Sequence, residues 1–146
     1  MRSSLSNQWQ ENEISPQVRL SALWATVTLL YLYGDYFELY VPHKTQGLVE
    51  SNHLLDSPLK LFLAAVLLSI PALMVFLCIV LKPSISQILN IIIGLFFTII
   101  MLLIAVTNIT AWRAFYVFYA LLESTLTTMV VMYAWRWLKT AKTILK

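Results

Sequence analysis

Cysteine, glycine and charge are all scarce in this chain. The single Cys78 excludes an intramolecular disulfide and any dithiol redox motif. It lies inside an apolar run and reads as a small buried hydrophobe. The three glycines, Gly34, Gly47 and Gly94, form neither a phosphate-cradling loop nor a GxxxG pairing motif. No cofactor is expected. Charged residues make up 12% of the 146, where a soluble domain carries about 25%. That is too little to cover a water-facing surface.

What is present in excess is apolar. The chain is 60% hydrophobic, with a mean hydropathy of +0.77. The composition is that of an integral membrane protein, with the lipid bilayer as its first partner. The net charge of +3 does not point to nucleic acid. Its basic residues cluster near the ends of apolar runs, where they set orientation.

Four runs are long enough to cross the hydrocarbon layer. They cover roughly residues 20–40, 59–81, 85–106 and 114–138. About 20 residues suffice for a helix that rises 1.5 Å per residue. Unbroken apolar runs of this length exclude barrel strands. The expected fold is an all-α membrane protein, an antiparallel four-helix transmembrane bundle spanning residues 19–138. Residues 1–18 form a polar N-terminal tail and residues 139–146 a basic C-terminal one. The first apolar run begins late, exceeds a signal-peptide h-region in length and lacks a small-residue cleavage site.

Start signals support these limits. Ser57–Pro58 reads as an N-cap with proline at the first helical position. Pro83 with Ser84 or Ser86 does the same for the third span, and Thr110 caps the fourth. Pro71 predicts a kink inside the second. Seven Lys and Arg flank the side shared by both termini, against three (Lys44, Lys60, Arg113) on the other. Both termini are therefore expected in the cytoplasm. Trp24, Trp112, Trp135 and Trp137 fit an interfacial aromatic belt.

Embedded acids are costly and so are functional candidates by default. There are three: Asp35, Glu38 and Glu123. Asp35 is about 15 residues into the first span, ~22 Å from the cytoplasmic edge. Glu38 is one turn higher, near the headgroups, and also reads as a solvated rim residue. Glu123 is about ten residues into the fourth span, ~15 Å deep and close to mid-bilayer. Each helix carries a polar stripe. Ser21, Trp24, Thr28, Tyr31, Asp35 and Glu38 share one face of the first span. Gln87, Asn90, Gly94, Thr98, Met101, Ala105 and Asn108 share one of the third. Tyr116, Ala120, Glu123 and Thr127 align on the fourth, flanked by Ser124 and Thr128. Ser69 lies beside Pro71 on the second.

Helix rise puts Glu123 level with Tyr31, Ser69 and Thr98. The expectation is a polar pocket in the outer half of the bundle. Its ligand- or proton-binding candidates are Glu123, Asp35, Tyr31, Thr98, Ser69, Glu38, Tyr116 and Thr127. Arg113 at the mouth pairs with Asp35 or Glu38, or snorkels to headgroups. The bland reading is that the Ser, Thr and Asn positions only glue helices together. No metal site is expected, because His43 and His53 lack a helical ligand spacing.

Five segments carry a family resemblance: "LSALW" and "YLYGD" bounding the first span, "SIPALMVFLCIVLK" in the second, "NIIIG" in the third and "YAWRW" ending the fourth. Over residues 18–138 the chain resembles a family of small bacterial four-helix membrane proteins catalogued as a domain of unknown function. The resemblance implies a multi-pass protein of the bacterial cytoplasmic membrane. It implies no activity or site residues. Relatives often carry an acid just before the Ile-Pro of the second span, where this chain has Ser69.

Three functions remain open. One is binding or transport of a small lipophilic or cationic molecule, with Glu123 as the central proton or cation site and Asp35 at the entrance. A transporter this small would act as a homo-oligomer. Another is an intramembrane isomerase-type enzyme using embedded carboxylates as acid and base. The last is an accessory protein with no ligand.

Overall fold

The structure, a computed structural model, describes residues 14–49 and 55–144. Most of the expected N-terminal tail, together with Glu50 and His53 of the segment between the first two apolar runs and Lys146, lies outside the described residues. Four long helices pack together: α1 (Pro16–Glu38), α3 (Pro58–Val80), α4 (Pro83–Thr107) and α5 (Ala114–Ile144). A short helix α2 (Lys44–Val49) follows α1, and a 3-10 turn at Ala111–Arg113 leads into α5.

Local chemistry sets the ends. Ser57 accepts from the Lys60 backbone N–H at 3.3 Å, with Pro58 in the first turn of α3. α1 begins the same way, with Ser15 accepting from Val18 N–H and Pro16 in the first turn. It therefore starts four residues before the apolar run. The expected Ser84 or Ser86 cap does not form. Lys82 occupies the N-cap of α4 without a side-chain cap bond, and Pro83 alone marks the start. Thr110 caps the 3-10 turn rather than α5, also without a side-chain bond. Pro71 is buried and α3 runs through it unbroken. Because proline has no N–H, the Leu67 carbonyl loses its usual helical donor.

Three helices are long and apolar enough to cross a membrane: Pro58–Val80, Pro83–Thr107 and Ala111–Trp137, with mean hydropathies of 2.8, 2.9 and 1.5. α1 matches α3 in length at 23 residues. It is less apolar, because Tyr31, Tyr33, Asp35 and Tyr36 crowd its last two turns. Leu59, Phe62, Ile92 and Leu103 are each more than 60% exposed. Such large apolar side chains on the outside of packed helices suit hydrocarbon, not water.

The tightest helix pair is α4 with α5, while α1 packs between α3 and α5. Gly94 explains the first contact. A Cβ built there would stand 2.9 Å from Val131 Cγ2 and 3.4 Å from the Thr127 carbonyl. Only glycine admits so close an approach.

The core has an aromatic and a polar part. Trp24, Phe97, Met74, Val27 and Val130 are all but fully buried. Trp24 and Phe97 meet edge to face at 6.2 Å. Trp24 is therefore not an interfacial belt residue. It is wholly enclosed, and its Nε1 donates to Asn90 Oδ1 at 2.7 Å. Asn90 Nδ2 donates in turn to the Ser86 carbonyl at 2.7 Å. Cys78 is buried against the same amide, 3.4 Å from Asn90 Oδ1. Ser21 donates to the Val75 carbonyl at 2.8 Å and Gln17 to the Leu81 carbonyl at 3.1 Å. Hydrogen bonds thus tie α1, α3 and α4 together in the half nearest the α3–α4 turn.

Candidate functional site

A cavity of about 120 Å³ opens in the opposite half, near the end of α1 and the start of α5. All four long helices line it. α1 contributes Tyr31, Gly34 and Asp35, and α5 contributes Tyr116, Tyr119 and Glu123. Leu67 and Leu68 of α3 and Phe97, Ile100, Met101 and Ile104 of α4 supply apolar walls. Helical spacing explains the grouping. Tyr31, Gly34 and Asp35 stand at steps of three and four, as do Tyr116, Tyr119 and Glu123. A space this size holds several waters or a compact organic group.

Glu123 is 4% exposed. Among the described residues its carboxyl has no hydrogen-bond or ion-pair partner; only its backbone carbonyl is engaged, accepting from Thr127 Oγ1 at 2.9 Å. The Tyr31 hydroxyl is the second unmatched group. It is buried and likewise has no hydrogen-bond partner among the described residues. Its ring lies 6.1 Å from that of Phe97, which fixes its place in the wall. An unsatisfied buried hydroxyl costs about 1–3 kcal/mol. That hydroxyl and the Glu123 carboxyl face one cavity, an arrangement that packing alone does not favour.

Asp35 lines the cavity from its rim and is partly exposed. Glu38 does not reach the cavity. Its carboxylate pairs with Lys44 of α2 at 2.6 Å and lies 3.9 Å from Arg113. Arg113 also donates to Asn108 Oδ1 at 2.5 Å. Of the alternatives open to Arg113, the structure shows the Glu38 contact. These residues join the end of α1, the start of α2 and the turn before α5 above the cavity.

The remaining candidates separate from it. Thr98 donates to Thr127 Oγ1 at 2.7 Å, within reach also of the Gly94 carbonyl at 2.8 Å. Thr127 donates to the Glu123 carbonyl. This threonine pair bridges α4 and α5 beside Gly94 and lines no part of the cavity. Ser124 and Thr128 bond back to their own helix, to the carbonyls of Leu121 at 2.9 Å and Ser124 at 2.7 Å. Ser69 is exposed and donates to the Val66 carbonyl at 2.7 Å. The buried face of α3 is Pro71, Met74 and Cys78. Ser69 precedes Pro71 by two residues, about 200° around the helix, and so points away from the bundle.

Sequence reasoning overlooked Tyr119, Leu67, Leu68 and Phe97 as wall residues. Tyr119 was findable, since it stands four residues before Glu123 on the same helix. The leucines carry no such mark in an apolar run.

Among the described residues no group of three or more His, Cys, Asp and Glu could hold a metal ion. The site's resources are two carboxyls, three phenols and an apolar enclosure. It can offer an anion and hydroxyl donors to a small cation or amine, or exchange a proton between Asp35 and Glu123 by way of a bound group.

No curated protein and no solved structure matches the chain. A family match does extend from residue 6 to residue 143, nearly the whole sequence, and by it the chain belongs to the family of unknown function DUF6326.

Proposed function

We propose that this protein is a four-span protein of the bacterial cytoplasmic membrane that binds a small lipophilic cation in the cavity around Glu123. In this reading α1 crosses the bilayer beside the three more apolar helices. Both termini face the cytoplasm and the cavity opens toward the outer leaflet. The Lys and Arg distribution supports that orientation. A transport cycle built on a chain of this size would run in an assembly of copies.

One observation carries the reading: a 4%-exposed carboxyl lines the same cavity as a buried tyrosine hydroxyl, and neither has a side-chain partner among the described residues. A charge buried without a counter-charge is costly, so the empty site is best served by a neutral carboxyl. A seated cation supplies the counter-charge and displaces the proton. Aromatic walls from Tyr31, Tyr116 and Phe97 suit a soft organic cation. Cation and proton compete for one carboxyl, so binding weakens as pH falls.

The test uses purified protein in detergent, titrated in weak buffer with tetramethylammonium, a compact organic cation on the scale of the cavity. Wild type is expected to bind and release protons. Glu123→Gln is expected to bind at least about thirtyfold more weakly, the fold equivalent of the roughly 2 kcal/mol or more lost with one member of a desolvated charge pair. Equal binding by the two proteins sinks the reading.

A second reading rests on Asp35 and Glu123 sharing one cavity with Tyr31 and Tyr116. That set suits acid–base isomerisation of a lipophilic substrate. It requires both carboxyls equally, so Asp35→Asn would abolish the activity. Under cation binding, the rim position of Asp35 limits the same change to a few-fold loss of affinity.

A further inference from the structure

Two adjoining grooves lie between α1 and α5 at the end of the bundle away from the Glu123 cavity. The first, of about 230 Å³, is lined by Pro16, Arg19, Tyr133, Arg136 and Trp137. The second, of about 270 Å³, shares Arg19 and Tyr133 and continues along Ala22, Leu23, Thr26 and Met129. Thr26 follows Arg19 by seven residues and Met129 precedes Arg136 by seven, so both helices carry the groove about 10 Å down from the arginines. α1 and α5 pack directly against each other, which makes the groove a continuous feature of their seam.

The chemistry changes along it. Two guanidinium groups stand at the upper end, with Tyr133 and Trp137 beside them. Among the described residues no carboxylate lines either groove. Below the arginines the walls are aliphatic. Thr26, the one hydroxyl there, is satisfied by the Ala22 carbonyl at 3.0 Å. A positive head region running into an apolar trough fits an amphiphile with an anionic head. Guanidinium groups bind phosphate oxygens through two parallel hydrogen bonds. Tyrosine and tryptophan sit at headgroup level in membranes. Basic pockets between spanning helices bind anionic lipid heads.

We propose that the α1–α5 seam is a binding site for an anionic phospholipid. Its phosphate sits between Arg19 and Arg136, and one acyl chain lies along Ala22, Thr26 and Met129. The site is separate from the Glu123 cavity and stands or falls without it. A free phosphate ion would use the arginines but not the trough.

The test is native mass spectrometry of the delipidated full-length protein in detergent, with phosphatidylglycerol and phosphatidylcholine as competing probes. Thermal unfolding is followed in parallel, with inorganic phosphate as a third arm. Phosphatidylglycerol is expected to bind one per chain, in clear preference to phosphatidylcholine, and to raise the unfolding temperature. Arg19→Gln with Arg136→Gln should lower its affinity roughly ten- to thirtyfold, since each basic group near an anionic surface is worth about fivefold. Lys60→Gln, at the other end of the bundle, should change nothing. Ala22→Trp keeps both arginines and fills the trough, and it should weaken lipid binding while leaving the lipid-free unfolding temperature in place. The proposal is overturned if the two lipids bind alike, if the double variant keeps the preference, if Ala22→Trp binds as wild type does, or if inorganic phosphate alone reproduces the stabilisation.

Discussion

Near the α3–α4 turn, Trp24, Ser86 and Asn90 are buried and joined in hydrogen bonds. At the other end of the bundle, Glu123 and Tyr31 are almost as deeply buried, yet neither side-chain polar group finds a partner among the described residues. The first set behaves as structural polar groups do: each donor meets an acceptor, across helices for Trp24 and within α4 for Asn90. The second set breaks that rule within one cavity. Similar residue types can therefore mean opposite things, and partner satisfaction separates them. Depth alone does not, because both sets lie well inside the helices.

If the comparison is sound, variants in the closed half should damage stability and variants around the cavity should damage binding. Trp24→Ala is expected to have the largest effect. It removes a fully enclosed indole and frees the Asn90 amide, at a cost of about 3–5 kcal/mol in unfolding in detergent. Asn90→Leu comes next. It keeps the volume but strands the Trp24 Nε1–H, for about 1–3 kcal/mol. Gly94→Ala should cost a similar 1–3 kcal/mol, because the new methyl meets Val131 Cγ2 at 2.9 Å in the tightest helix contact. A loss under about 0.5 kcal/mol in all three would show that hydrogen bonding and close packing do not hold this half together.

The same contrast explains how much the sequence disclosed. Hydropathy runs located α3, α4 and α5, because lipid-facing positions must be apolar over a fixed length. They do not mark the start of helix α1, which Ser15–Pro16 sets by capping chemistry, four residues before the apolar run. The same signature at Ser57–Pro58 was readable because it abuts an apolar run. The helical reach of α5 to Ile144 escaped notice because its last turns are basic rather than apolar. Polar stripes gathered Tyr31, Asp35, Tyr116 and Glu123, and the structure has all four lining one cavity. They failed for Ser69, since a lone serine in an apolar helix does not reveal which side it occupies. Thr98 and Thr127 were on the right faces, but a threonine pair that satisfies itself is indistinguishable in sequence from one that lines a pocket. Trp24 looked interfacial because tryptophan usually is, and its Asn90 partner lies 66 residues away.

Around the cavity the expected stability effects are smaller and can change sign. Glu123→Gln has no partner to strand, so its unfolding free energy should stay within about 1 kcal/mol of wild type while cation binding collapses. That combination distinguishes it from Asn90→Leu, which would lose stability first. Glu38→Gln removes a half-exposed pair with Lys44 and should cost no more than about 1 kcal/mol. Its measurable consequence would be slower cation entry, seen as a lower on-rate, because the change leaves Lys44 and Arg113 over the cavity mouth without the carboxylate that offsets them.

Tyr31→Phe is the smallest change and the sharpest. It deletes one oxygen and leaves the ring against Phe97. In the closed half, removing a hydroxyl or amide should always cost stability, because a partner is left behind. The Tyr31 hydroxyl has no such partner among the described residues. Its removal should leave the thermal unfolding of the ligand-free protein unchanged or raise stability by up to about 1 kcal/mol. If the hydroxyl serves a ligand, the variant should also bind the cation a few-fold more weakly, within the roughly 0.5–1.5 kcal/mol of an ordinary hydrogen bond. A destabilised Tyr31→Phe would mean that the hydroxyl is held by the protein after all, and the cavity would then differ from the closed half in shape only.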